Sequence, residues 1–145
     1  MTLIPGFGID KLLFGMKRPE VEAIYGPASY EYKDEDNNHV LLYDEYRLRL
    51  TFYAEEEYRL GYIISSSSGL SIDGLQPMGL PVTEVLDTLK VKGFTKWTAE
   101  RIDSCENYVN EANWLILQSE FGHVIKVELG ALIDEKNDVF IWRTK

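Results

Sequence analysis

The spacing of apolar and polar residues changes period several times along the chain, and each change marks an element. Tyr46, Leu48, Leu50 and Phe52 alternate with Arg47, Arg49, Thr51 and Tyr53, and Tyr58, Leu60, Tyr62 and Ile64 resume the alternation beyond an acidic turn at Ala54 to Glu57. A period of two places every second side chain on one face, so the stretch predicts an amphipathic hairpin. Strands at about Ala28 to Lys33 and His39 to Tyr43 precede it, set off by the polar turns Asp34 to Asn38 and Asp44-Glu45. Further upstream Val21, Ile24 and Tyr25 share one face of a short helix from about Pro19 to Tyr25, which Gly26-Pro27 stops. The first half reads α-β-β-β-β.

The second half repeats the plan. Val82, Val85, Leu86 and Leu89 fall on one helical face, predicting an amphipathic helix from Pro81 to about Lys92 that ends at Gly93. Strands follow near Cys105 to Val109, Ala112 to Gln118, Phe121 to Leu129 and Val139 to Arg143, and Phe94 to Ile102 has room for one more short strand. The opening phrases also match: Ile9-Asp10, Leu12, Met16, Pro19 and Glu22 are echoed by Ile72-Asp73, Leu75, Met78, Pro81 and Glu84. Each half alone has a one-sided sheet and too little helix to cover it, so the halves are expected to pack together around a shared core. The expected fold is therefore α+β, with two related helix-plus-four-stranded antiparallel halves, roughly 9–68 and 72–145, forming a single domain over residues 1–145. Ser65 to Gly69 is too short a joint to separate independent units.

Composition narrows the class. The chain has 145 residues, 45% of them hydrophobic, which is enough for a real core and far from the composition of disordered chains. Twenty-four acidic residues against fifteen basic ones give a formal charge of −9, which repels phosphate backbones and anionic membranes and argues against direct nucleic-acid binding. Cys105 is the only cysteine and cannot form an internal disulfide, and Met1 to Phe7 lacks the basic start and apolar run of a signal peptide or membrane span. The expected compartment is the cytoplasm.

No catalytic motif is present. His39 and His123 lie in separate predicted strands, without Cys, Asp or Glu at the spacing of a metal site, so no metal or other cofactor is expected. Cys105 has no local motif that would join it to a histidine as nucleophile and base, and Ser65 to Ser68 lacks the glycine pattern of a nucleophile elbow.

The acidic residues, by contrast, are concentrated. Glu31, Asp34, Glu35 and Asp36, then Asp44 and Glu45, then Glu55, Glu56 and Glu57 punctuate successive turns of the first sheet. Alternate turns of a meander share an end, so the turns at Asp34 to Asn38 and Ala54 to Glu57 are expected to converge, with Tyr30, Tyr32, Tyr53 and Tyr58 between them. Such a surface attracts a cationic partner and imitates the spaced charge of a nucleic acid. The same turns also suit solubility and protection of sheet edges.

The stretch Gly15-Met16-Lys17-Arg18-Pro19-Glu20-Val21-Glu22-Ala23-Ile24-Tyr25-Gly26-Pro27 resembles the helix phrase of bacterial tandem α-β repeat proteins such as the β-lactamase inhibitor protein and small outer-membrane assembly lipoproteins. In size, acidity and doubled plan the chain is similar to cytoplasmic immunity proteins of contact-dependent growth inhibition, one group of which resembles the Whirly fold. That resemblance implies a heterodimer with the C-terminal domain of a cognate toxin, such as a basic nuclease. It carries no binding residues over, and the surface expected to make the contact is the one the charge pattern marks, the acidic residues above together with Tyr53 and Tyr58. The alternative is a small-ligand or peptide binding module with an aromatic pocket between the halves, lined by Trp97, Trp114 and Trp142; an enzyme built on His39, His123 or Cys105 is a third.

Overall fold

Residues 1–144 are described in a computed structural model of the protein. Three short strands open the chain, β1 (Thr2–Ile4), β2 (Gly8–Ile9) and β3 (Leu12–Leu13), and lead into helix α1 (Arg18–Tyr25). A meander follows: β4 (Tyr30–Lys33), β5 (His39–Tyr43), β6 (Leu48–Tyr53) and β7 (Arg59–Ser65), with a 3-10 turn at Ala54–Glu56 between the last two. After β8 (Ser71–Ile72) and helix α2 (Val82–Val91) comes a second meander, β9 (Thr98–Ile102), β10 (Cys105–Asn110), β11 (Leu115–Glu120) and β12 (His123–Gly130), whose β10–β11 connection holds another 3-10 turn, Glu111–Asn113. A hairpin of β13 (Ile133–Asp134) and β14 (Val139–Phe140) is the last element among the described residues.

These connections correct the expected fold class. The chain is mostly β, and the two meanders do not pack on one another as separate helix-plus-four-strand halves. Instead β7 and β12 pair antiparallel, Ile63 opposite Leu129 and Ser65 opposite Val127, and the result is one eight-stranded sheet in the order β4-β5-β6-β7-β12-β11-β10-β9. The physical reason lies in the backbone. Four strands in isolation leave an unpaired row of N–H and C=O groups at each edge, and joining the two inner edges satisfies both rows while keeping every apolar face on the same side. A second sheet, β3-β2-β1-β8, also crosses the expected boundary, because β8 from the second opening phrase runs parallel beside β1.

The pairing lines up the core. Leu41, Leu50, Ile63, Leu129 and Leu115 form one cross-strand row over β5, β6, β7, β12 and β11, and all five are fully buried. Each such side chain contributes about 1.5–3 kcal/mol by leaving water. Val21 of α1, Val85 and Leu89 of α2, and Leu3, Ile9 and Phe14 of the small sheet belong to the same buried cluster. The opposite face of the large sheet is more open. It carries Tyr30, Tyr32, Arg49, Thr51, Tyr62, Lys126 and Glu128, only half-buried or exposed.

The matching phrases have a structural meaning. Ile9 pairs with Leu12 and Ile72 with Leu75, each across a turn in which the aspartate, Asp10 or Asp73, takes a left-handed conformation. Aspartate is among the few residues that adopt that conformation at low cost. Downstream, Gly15 donates to Leu60 of β7 as Gly79 donates to Val124 of β12, and Lys17 bridges Arg59 as Pro81 bridges His123. The equivalence thus runs one residue further apart after the turn than within it. It sets Pro81 against Lys17, so the two prolines do not correspond: Pro19 lies inside the first turn of α1, whereas Pro81 immediately precedes α2.

Candidate functional site

The repeat is broken at one position that shapes the surface. In both meanders the last two strands contain a bulge, with Gly61 left unpaired opposite β6 and Ile125 left unpaired opposite β11. Bulges increase twist and re-aim neighbouring side chains. At Gly61 the missing side chain makes room for the Tyr53 ring, which a Cβ there would overlap. Gly130, at the end of the neighbouring strand β12, seats the Trp114 ring in the same manner. Glycine within a strand often marks such a close approach. Trp114 is itself held in a left-handed conformation, φ 46°, after the 3-10 turn, and its carbonyl accepts from Gly130 N–H at 3.0 Å.

The terminal hairpin completes the enclosure. Phe140 lies 5.5 Å from the Tyr53 ring and stacks on Trp142 at 5.0 Å. Between this hairpin, Tyr53 and Trp114 is a cleft of about 550 Å³, walled by Leu132, Ile133 and Ile141 and edged by Glu111, Glu135 and Asp138. A second concavity, of about 510 Å³, adjoins it through the shared Tyr53 and Phe140, and holds Asp36, Glu55 and Glu56. The two make one groove, whose lining among the described residues holds six carboxyl groups and no lysine or arginine.

Tyr53 is mostly buried, and burial pushes its hydroxyl up to about 12. Tyr62 is raised in the same direction by burial and by donating a hydrogen bond of 2.5 Å to Glu128. The sign follows from linkage. Above pH 10 the unfolded chain releases these phenolic protons while the folded chain retains them, so stability is complete below about pH 10 and falls as pH rises toward 12. The Tyr53 contribution lost is on the order of 1–3 kcal/mol. Urea midpoints measured from pH 9 to 12 should fall, and the fall should be shallower in Tyr53→Phe; equal slopes would show that Tyr53 ionises alike in both states.

The residues expected from sequence to meet a partner are placed unequally. The turns at Asp34 to Asn38 and Ala54 to Glu57 do meet, since the Asn38 side-chain oxygen accepts from Ala54 N–H at 2.9 Å. Of their acids, Asp36, Glu55 and Glu56 line the groove. Asp34 is occupied in shaping its own turn, accepting from Asp36 N–H, Asn38 N–H and the Asn38 amide at 2.9–3.2 Å. Glu35 is exposed outside the groove lining. Glu31 is ion-paired with Arg18 of α1, and Glu57 lies 3.9 Å from Lys17. Asp44 and Glu45 sit in the β5–β6 turn at the other end of the strands. Tyr53 is central to the groove, whereas Tyr58 stacks on His39 at 4.3 Å. Among the tryptophans only Trp114 lines the cleft; Trp97 donates to the Phe94 carbonyl and Trp142 backs Phe140. Glu111, Glu135, Asp138 and Phe140 were not marked as site residues by the sequence. Their turns were legible, but their meeting with the β6–β7 turn depends on the pairing of β7 with β12.

Cys105, Glu120 and His123 fall in one cross-strand row. The Cys105 thiol and the Ser104 hydroxyl both donate to the Glu120 carboxylate, at 3.7 and 3.0 Å, while the His123 Nδ1 lies 3.1 Å from the Phe121 carbonyl. The imidazole is therefore engaged away from the thiol. Among the described residues no three His, Cys, Asp or Glu side chains converge as a metal-binding group, and no helix is long and apolar enough to cross a membrane.

No protein-family model matches the chain, and no curated protein matches it. Solved structures are similar in fold. One is an extracellular protein containing an SCP domain from Bacillus anthracis str. Ames, 8% identical with a TM-score of 0.52; another is a cysteine-rich secretory protein from Staphylococcus aureus subsp. aureus Mu50, 10% identical with a TM-score of 0.49. Each covers 90% of this chain, which spans about half (49%) of the length of either. The first corrects the cytoplasmic expectation. A fold also used by a protein described as extracellular is not tied to a reducing compartment, and the single cysteine no longer decides the matter.

Proposed function

We propose that the chain is a polypeptide-binding module, and that its groove takes a basic, extended segment of a protein partner. The observation that carries this reading is the lining itself: among the described residues, six carboxyl groups and no lysine or arginine around a floor of Tyr53, Trp114 and Phe140. Aromatic rings on a rigid sheet supply contact area at little entropic cost, and a rim of one charge selects the opposite charge and speeds its encounter. Lysine or arginine side chains of the partner meet the rim, and an apolar side chain between them lies against Trp114. The basic toxin domain expected from the sequence is one special case of such a partner. The likeness to the extracellular protein adds a proposal about architecture: there the fold occupies half of a longer chain, as suits a recognition unit accompanying a second unit.

The test is binding of labelled peptides followed by fluorescence anisotropy. A peptide alternating lysine or arginine with leucine should bind, and its acidic counterpart should not. Asp36→Asn, Glu55→Gln and Glu56→Gln together should weaken the basic peptide about tenfold, as expected for several rim charges of a few tenths to 1 kcal/mol each, and should flatten the salt dependence. Equal binding of acidic and basic peptides would refute the reading.

A further inference from the structure

At the opposite end of β6 from the groove, the open face of the sheet holds a concavity of about 410 Å³ with the reverse chemistry. Arg47, Arg49 and Lys126 line it, with Asp44 as its only lining carboxylate. In a chain of formal charge −9 this is a local reversal of sign. We propose that it is a binding site for an organic oxyanion, a carboxylate or phosphate monoester carried on an apolar body.

The geometry supports each part of that description. Arg49 stands in a cross-strand row between Leu42 on β5 and Ile64 on β7, so its guanidinium rises from an apolar floor. Arg47 is fixed in the β5–β6 turn, where its N–H donates to Asp44 O at 3.2 Å and its carbonyl accepts from Ser66 N–H at 3.2 Å. Among the described residues no ion pair joins Arg47 or Arg49 to a carboxylate, whereas Arg18 is paired with Glu22 and Glu31, and Arg101 with Glu106. Lys126 is 3.8 Å from Glu128, whose other oxygen accepts from Tyr62, so Glu128 is partly engaged and leaves the site positive. A planar guanidinium matches a carboxylate or phosphate with two parallel hydrogen bonds, and two such groups beside an ammonium bind an oxyanion far better than a solvated surface lysine does. The Ser66 hydroxyl adds a neutral donor at the rim. The apolar floor of Leu42 and Ile64 selects an organic anion over an inorganic one.

The site is separate from the acidic groove. Arg49 and Tyr53 are four residues apart on one strand, about 13 Å at the usual rise. Occupancy here is therefore testable without involving the peptide groove. Amide chemical shifts of the full chain would be followed during addition of phenyl phosphate, benzoate, inorganic phosphate and benzylamine, at about 0.15 M salt, where screening extends about 8 Å. The expected result is saturable shifts at residues 47–49, 64–66 and 126 with the two aromatic anions, weaker ones with inorganic phosphate and none with benzylamine. The phenyl phosphate and benzoate arms distinguish the two oxyanions. Arg49→Gln with Lys126→Gln should weaken the better ligand at least tenfold, with an unchanged melting temperature and unchanged binding of the basic peptide. Shifts that do not saturate, that spread over all surface cations or that survive the double substitution would overturn the site, and equal binding of inorganic phosphate would overturn the apolar floor.

Discussion

Phe14→Ala is expected to remove about 3–5 kcal/mol of stability, the range for emptying a fully buried aromatic position, from a total that for a domain of this kind is about 5–15 kcal/mol. Phe14 has no exposed surface and stands where three parts of the chain meet. Its N–H donates to Phe7 in the first hairpin, its carbonyl accepts from Arg143 N–H of the C-terminal segment, and the next residue, Gly15, donates to Leu60 of β7. A cavity at this junction loosens both ends of the chain together. Unfolding in urea followed by far-ultraviolet circular dichroism and by tryptophan fluorescence should give coincident curves for the native chain and for the variant, with the midpoint lowered in the latter. All three tryptophans, Trp97, Trp114 and Trp142, lie in the second half of the sequence. Two halves of independent stability would therefore unfold at different midpoints by the two probes. Separate transitions, or a loss below about 1 kcal/mol, the size of an ordinary surface change, would contradict a shared junction.

The local part of this architecture could be read from the chain because it depends on local rules. The period-two run at Tyr46 to Tyr53 became β6 at Leu48–Tyr53, and the apolar stripe of Val82, Val85 and Leu89 became the buried face of α2. The arrangement could not be read, and two pairings explain why. β7 meets β12 and β1 meets β8 across nearly half of the sequence, and both contacts are made by backbone groups that every residue carries. Nothing in the alternation of Leu60, Tyr62 and Ile64 states which edge will pair with it. A one-sided sheet can be completed by stacking or by extension, and the apolar rows are satisfied either way.

The site was legible in the same uneven manner. Alternate turns of a meander share an end, and Asp36 and Glu56, from two such turns, do share a concavity. Charge pattern alone does not separate free carboxylates from engaged ones. Glu31 and Glu57 look equivalent to Glu55 in the sequence, but the first is paired with Arg18 and the second faces Lys17 across the opening segment of α1. Nor does the sequence distinguish Trp114 from Trp97 and Trp142. The signals for Tyr53 and Trp114 were the glycines on adjoining strands, Gly61 and Gly130 respectively, which are costly in strands unless a ring or another backbone approaches them. Those glycines have no counterpart rings until the register of β7 and β12 is known.

Trp114→Gly is expected to lower affinity for a basic peptide at least ~30-fold, the size of a central aromatic contact worth about 2 kcal/mol, while leaving stability nearly unchanged. Two opposing effects meet at this residue. The ring covers Gly130 and is still 41% exposed toward the cleft, so its removal costs some packing. Its backbone, at φ 46° and ψ 50°, lies where any residue with a Cβ is strained by about 1–2 kcal/mol and glycine is not. Trp114→Ala loses the ring and keeps the strain, so it should be less stable than Trp114→Gly by about 1 kcal/mol and equally poor in binding. Trp114→Phe keeps an aromatic surface over Gly130 and should retain most of the affinity. The series separates binding from folding: an affinity that followed stability, highest in Trp114→Gly among the two truncations and lost in proportion to the melting temperature, would make the ring a structural cover. Affinity that follows the aromatic surface instead, against the order of stability, assigns the ring to the partner.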